Sequence, residues 1–155
     1  MDIPAYYPLT AEETPVITSS DGLTSIQVIA GELNEVTGPI KPLPLVNTFT
    51  ATMKKGAKFF FAIPATHNAF IYVMNGKVQV TGDSELDGKY VAIFKQDGEG
   101  FELEAFKDTH FFIGTGEPLN EPVASHGPFV MNNQTELIEA FRDYQQGKMG
   151  ILIEE

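Results

Sequence analysis

The sequence predicts an all-β fold of antiparallel strands, a sandwich or barrel, with one helix near the C-terminus. Three observations predict it. Short strand-like runs recur from Leu23 onward, separated by Gly, Asp, Asn and Pro. An Asn75-Gly76 pair, a hairpin signal, sits between two of them. Helical spacing appears only once, late in the chain. Many short strands followed by one helix fit an antiparallel architecture better than alternating βαβ units.

Taken in order, residues 1–20 hold Pro4, Pro8 and Pro15 among polar residues and read as an extended arm or linker. The folded part then runs from 21 to 155. Its strand candidates are "LTSIQVIAGEL", "LPLVNTFTATM", "KFFFAI", "AFIYVMNGKVQVTG", "KYVAIF", "GFELEAF" and "HFFIGTG". Val78-Gln79-Val80 and Phe101-Glu102-Leu103-Glu104 alternate apolar and polar residues, as strands with one buried face do. Asn75-Gly76 between "FIYVM" and "KVQV" predicts a type I′ hairpin turn, which needs positive φ at both central residues. Phe59-Phe60-Phe61 must place aromatics on both faces of one strand. Phe70, Tyr72, Phe101, Phe106, Phe111 and Phe112 add to a barrel lining, and some of this surplus must lie outward. The helix is expected over about 132–146. Asn132 or Asn133 caps it, Leu137, Ile138, Phe141 and Tyr144 recur at helical spacing, and Gly147 stops it.

Composition narrows the function classes. At 155 residues and 17.0 kDa, with 43% hydrophobic residues, the chain can bury a substantial core. Its net charge is −11, and its ten basic residues are scattered apart from Lys54-Lys55. Nucleic-acid binding requires basic residues that neutralise phosphates, so direct DNA or RNA binding is not expected, nor is binding to an anionic membrane surface. No apolar run reaches the roughly 20 residues that span a bilayer. The N-terminus "MDIPAYYPLT" lacks the basic and apolar regions of a signal peptide, so a cytoplasmic location is expected. With no cysteine there is neither disulfide nor thiolate chemistry.

Two stretches carry a resemblance. "GEPLNEPVASHGPFVMNNQTELIEAFRDYQQGKMG" resembles the C-terminal segment of the pirin family, and "HNAFIYVMNGKV" resembles a strand pair of that family. "VIAGELNEVTGPIK" is similar to the start of the pirin C-terminal domain, so the likeness extends from about Tyr7 to the end. The resemblance implies a single cupin-type jelly-roll barrel, with the N-terminal arm before it and the helix packed on its outside. Pirins are bicupins with iron in the N-terminal barrel, are implicated in transcriptional co-regulation, and in some members have quercetin dioxygenase activity. This chain resembles the C-terminal barrel alone. In the family's metal-bearing barrel an HxHxxxE pattern and a later His supply the ligands. Anchored on Asn75-Gly76 and on Gly98-Glu99-Gly100, those positions fall here on Ala62, Pro64, Asn68 and Leu103. Ala, Pro and Leu have no side-chain donor, and a neutral Asn carbonyl is a poor ligand for a transition metal. No metal, no cofactor and no catalytic residue is therefore expected.

The remaining polar residues have plain structural readings. His67 either orients a small ligand at the barrel mouth or bonds to loop backbone. His110 reads as a solvent-edge residue. A metal held by His67, His110 and a carboxylate such as Glu102 has no spacing in its favour. His126, with Gly127, Pro128 and Asn132, forms the family motif, where Pro fixes the turn and the imidazole ties down the crossing toward the helix. If a pocket survives, it is expected between His67, Asn68 and the inward-facing Phe61, Tyr72 and Leu103. The expected function is a metal-free, non-catalytic pirin-like module acting through protein contacts or a weak small-molecule pocket. The alternatives are a quercetin dioxygenase-type oxygenase with a relocated metal, or a piece of a longer pirin. Outward aromatics also predict self-association through an exposed barrel face.

Overall fold

The computed structural model describes residues 8–42, 44–80, 82 and 85–150. The chain divides into two compact units, Met1–Pro118 and Leu119–Glu155. The second unit packs around aromatic rings of its own, and each unit is described in turn.

In the first unit a short 3₁₀ turn over Ala11–Glu13 leads into β1 (Val16–Thr18) and β2 (Thr24–Ala30). A small ribbon follows, β3 (Glu32–Leu33) and β4 (Val36–Thr37), then β5 (Val46–Met53), β6 (Lys58–Ala62), β7 (Asn68–Asn75) and β8 (Lys77–Val80). β9 (Glu85–Asp87), β10 (Val91–Ile93), β11 (Gly100–Ala105) and β12 (Thr109–Gly116) complete it. Each of the seven runs read as strands from the sequence contains a strand among its described residues. Part of the predicted arm is not free chain: Val16–Thr18 pairs antiparallel with β2 at the sheet edge, while residues 1–7 lie outside the described residues.

The strands form a six-stranded sheet, ordered β1-β2-β5-β12-β7-β10, and a four-stranded sheet, ordered β6-β11-β8-β9. The named strand pairs within them are antiparallel. One apolar cluster joins the inner faces of both, including Ile26, Phe49 and Ile113 from the first and Phe61, Val78 and Leu103 from the second. Alternation decides which residues enter it. In β7 Ala69, Ile71 and Val73 are buried while Phe70 and Tyr72 are exposed. Burial of each large apolar side chain contributes roughly 1.5–3 kcal/mol. Together these features make a cupin-type jelly roll.

Asn75-Gly76 turns the chain differently from the sequence expectation. β7 pairs with β12 and β10, and β8 with β11 and β9. The dipeptide is therefore the corner where the chain leaves one sheet for the other, not a hairpin. Only Gly76 has positive φ, at 90°. An added Cβ there would strike the Asp108 carbonyl and Thr109, so both conformation and space call for glycine. A two-residue turn with positive φ at both positions occurs instead at Asn34-Glu35, between β3 and β4 (φ 48° and 65°).

The second unit contains a hairpin of β13 (Ala124–His126) and β14 (Phe129–Met131) turned by Gly127-Pro128, followed by α1 (Gln134–Gln145). Asn133 caps the helix, its side chain accepting from Glu136 N at 3.0 Å. Asn132 instead ties the strand end to the preceding loop, donating to Glu121 Oε2 and the Pro122 carbonyl. Phe141 collects Phe129 and His126 edge-on, with centroids 4.8 and 5.1 Å away. Among the described residues, no helix is long and apolar enough to cross a membrane.

Candidate functional site

The clearest concavities of the first unit meet at the segment joining β6 to β7. Pro64 to His67 forms a turn in which His67 N–H donates to the Pro64 carbonyl at 2.9 Å. This folds the imidazole inward, where it is only 7% exposed. Its Nδ1 lies 3.0 Å from Thr115 Oγ1 on β12, itself buried. A buried polar ring without such a partner would cost about 1–3 kcal/mol, so the pair fixes the ring at the edge of the apolar core.

The loop between β10 and β11 forms the opposing wall. Gln96 Nε2 donates to the Thr66 carbonyl at 2.9 Å, and Ile63 N–H donates to the Glu99 carbonyl at 2.9 Å. Phe94 stacks on Phe101, centroids 4.0 Å apart and planes within 8°. Gly100 lets the loop come this close, since a Cβ there would collide with the Phe61 carbonyl. Between these walls lies a cavity of about 310 Å³ lined by Ile63, His67, Ala69, Phe94, Lys95 and Phe101, among others. On the other side of the same turn, a second cavity of about 630 Å³ includes Leu33, Asn47, Ile63 and His67. His67 is thus a wall of both.

Of the five residues predicted to form a pocket, only His67 lines these two cavities. Phe61 and Leu103 are fully buried inside the core. Phe61 packs edge-on against Phe111, with centroids 5.8 Å apart. Tyr72, predicted inward, faces out of the six-stranded sheet and is 36% exposed. Asn68 is exposed and lines a separate groove on that outer face. Both fall outward because β7 buries its odd-numbered residues, beginning with Ala69. Thr115 and Gln96 were not anticipated. Counting alternate residues from Phe111 would have placed Thr115 inward, whereas nothing local marks Gln96.

The family's ligand pattern, laid on this chain by spacing, is one residue out of step with the inward positions. Ala62, Pro64 and Asn68 are exposed, and only Leu103 faces inward. The inward residues beside them are Phe61, Ile63, His67 and Ala69. A one-residue slip exchanges the two faces of a strand; moved back by one, the pattern falls on Phe61, Ile63, His67 and Glu102, of which only His67 is a buried donor. His110 lies on the outer face of β12, five residues from Thr115 and so roughly 17 Å along the strand. Glu102 is partly exposed in the other sheet, and His126 belongs to the second unit. Among the described residues, no three His, Asp or Glu side chains are grouped to hold a metal ion. The residues present do not fit iron.

A profile of the pirin C-terminal cupin domain matches residues 48–150. The chain belongs to the pirin family. Mouse (Mus musculus) pirin is 34% identical over 97% of this chain and 52% of its own length. A pirin-like protein of tomato (Solanum lycopersicum) is 32% identical over 95% of this chain and 51% of its own. The solved structure of a quercetin 2,3-dioxygenase from Acinetobacter baumannii is 36% identical, with a TM-score of 0.87, covering 94% of this chain and 50% of that one. This pirin chain thus spans about half the length of the relatives it matches. The pirin match also takes in the hairpin and helix of the second unit, where "SHGPFVMNN" lies.

Proposed function

We propose that this protein is a metal-free, non-catalytic pirin-like cupin module of the cytoplasm that acts through protein contacts, with a small-molecule pocket at the Pro64–His67 turn. One observation carries the reading: the inward positions where a cupin would present its metal ligands hold Phe61, Ile63, Ala69 and Leu103, with His67 the one imidazole beside them. A transition-metal centre needs several imidazole or carboxylate donors at one point, and a lone His67 bonded to Thr115 does not provide that set. The pocket would take a ligand by shape and by hydrogen bonding to the His67 ring, without redox chemistry.

Elemental analysis of untagged protein tests the reading. Less than about one-tenth of an equivalent of iron, nickel, copper or manganese is expected, since weak donor sets lose metal on purification. A stoichiometric amount of any of them overturns the proposal. A second reading has its own support in the length of the relatives. If this chain is half of a two-barrel pirin, metal and any quercetin dioxygenase activity belong to the other barrel. Quercetin turnover by the 155-residue chain supplied with iron would refute both readings.

A further inference from the structure

The outer face of the six-stranded sheet carries an unexplained pattern. Strand register sets its residues in rows. One row crosses all six strands: Val16, Gln27, Thr50, Phe112, Tyr72 and Val91. Beside it run Thr18, Ser25, Thr52 and His110 on one flank, and Thr48, Gly114, Phe70 and Ile93 on the other. None of these outward residues is Asp, Glu, Lys or Arg, in a chain that is 20% charged. Solvent-facing positions normally carry more than the average share of charge. The outer face of the other sheet does so, with Lys58 paired to Glu104 and Lys77 paired to Glu85.

The uncharged face is apolar toward β7 and β10. Ile93 is 82% exposed and Val91 53%. Phe70 and Phe112 pack 5.9 Å apart, and Gly114 gives the Phe70 ring room to lie across the sheet, since a Cβ would sit 2.5 Å from it. A groove of about 360 Å³ runs over these residues.

We infer that this face binds a second copy of the chain, face to face about a two-fold axis near Phe70, Tyr72 and Phe112. The inference rests on the protein-contact reading above and names its partner. A charged surface docked here would bury its charges without counter-ions, which is costly. The partner face must therefore be neutral and apolar, and a two-fold contact supplies a copy of the same face. The net charge of −11 on each copy disfavours contact through the other surfaces and leaves this one. Its size is adequate. The six strands have 3, 7, 8, 8, 8 and 3 residues. At about 3.3 Å per residue and about 4.8 Å between strands this is roughly 600 Å² of sheet plane. Side-chain relief raises the accessible area toward the roughly 800 Å² per partner of a stable interface.

Sedimentation equilibrium of the full chain from about 1 to about 100 μM, the range that brackets micromolar association, is expected to show reversible passage from the 17.0 kDa monomer to twice that mass. Val91→Lys and Ile93→Lys, at exposed positions that tolerate the change without unfolding, are expected to weaken the dimer at least about tenfold. Phe60→Lys, on the exposed face of the other sheet, should leave it unchanged. A monomer throughout the range overturns the inference, and so does a dimer lost with Phe60→Lys but kept with both others. A dimer that also carries stoichiometric iron supports the interface while overturning the metal-free reading.

Discussion

At the scale of single residues, His67 and Thr115 show how a polar pair is kept at the edge of an apolar core. Thr115→Val preserves shape but leaves Nδ1 without its partner, so it is expected to destabilise the fold by about 1–3 kcal/mol in urea denaturation. Leu103→Ala, at a fully buried position, should cost more, about 2–5 kcal/mol. Grafting Ala62→His, Pro64→His, Asn68→Glu and Leu103→His into one chain is expected not to create an iron site, because three of the four side chains face away from the interior. Stoichiometric iron in that variant would show the assignment of faces to be wrong. Spacing alone picks out Ala62, Pro64, Asn68 and Leu103, whereas strand alternation turns the first three outward.

At the scale of elements, the two turns with positive φ divide the work. Gly76 carries the chain between sheets, and Asn34-Glu35 closes the β3–β4 ribbon. Glu35 adopts a conformation that L-residues favour little, so Glu35→Gly is expected to leave stability unchanged or raise it by up to about 1 kcal/mol. A clear loss in thermal unfolding would mean that the Glu35 side chain matters. In the helix, Asn133→Ala removes the bond to Glu136 N and should cost about 1 kcal/mol. Faster hydrogen exchange confined to the first turn of α1 is the matching signature. The strand runs and the helix were legible because alternation and 3.6-residue spacing are local signals. The sheet corner at Asn75-Gly76 was not, since whether neighbouring strands pair depends on partners far away in sequence.

For the whole molecule, charge sets the response to pH. Asp108 is held below the ordinary aspartate value, first by its bond from Lys54 and then by the Lys55 N–H. Asp21 is lowered by the Ser19 hydroxyl and the Leu23 N–H. A carboxyl with a depressed folded pKa stabilises the fold above its ordinary value, and that contribution is lost as pH falls through the lowered one. Lys58 and Lys77 are raised by bonds to Glu104 and Glu85. Their contribution is present below the ordinary lysine value and is lost as pH rises through the raised one. For these groups stability is flat through neutrality and falls at both extremes. Asp108→Asn should therefore be less stable than the wild type near pH 7 and converge with it in acid, as followed by urea melts at stepped pH. A difference that persists unchanged into acid would refute the assignment.

The sequence by itself determined the strand content, the capped helix and the family, because each is written in residue type and short spacing. Only the tertiary structure decided which face each residue takes. It turned Tyr72 and Asn68 outward, joined His67 to Thr115, and aligned Val16, Gln27, Thr50, Phe112, Tyr72 and Val91 into one uncharged row. Those relations come from strand register, which residues far apart in the chain fix together and no local pattern records.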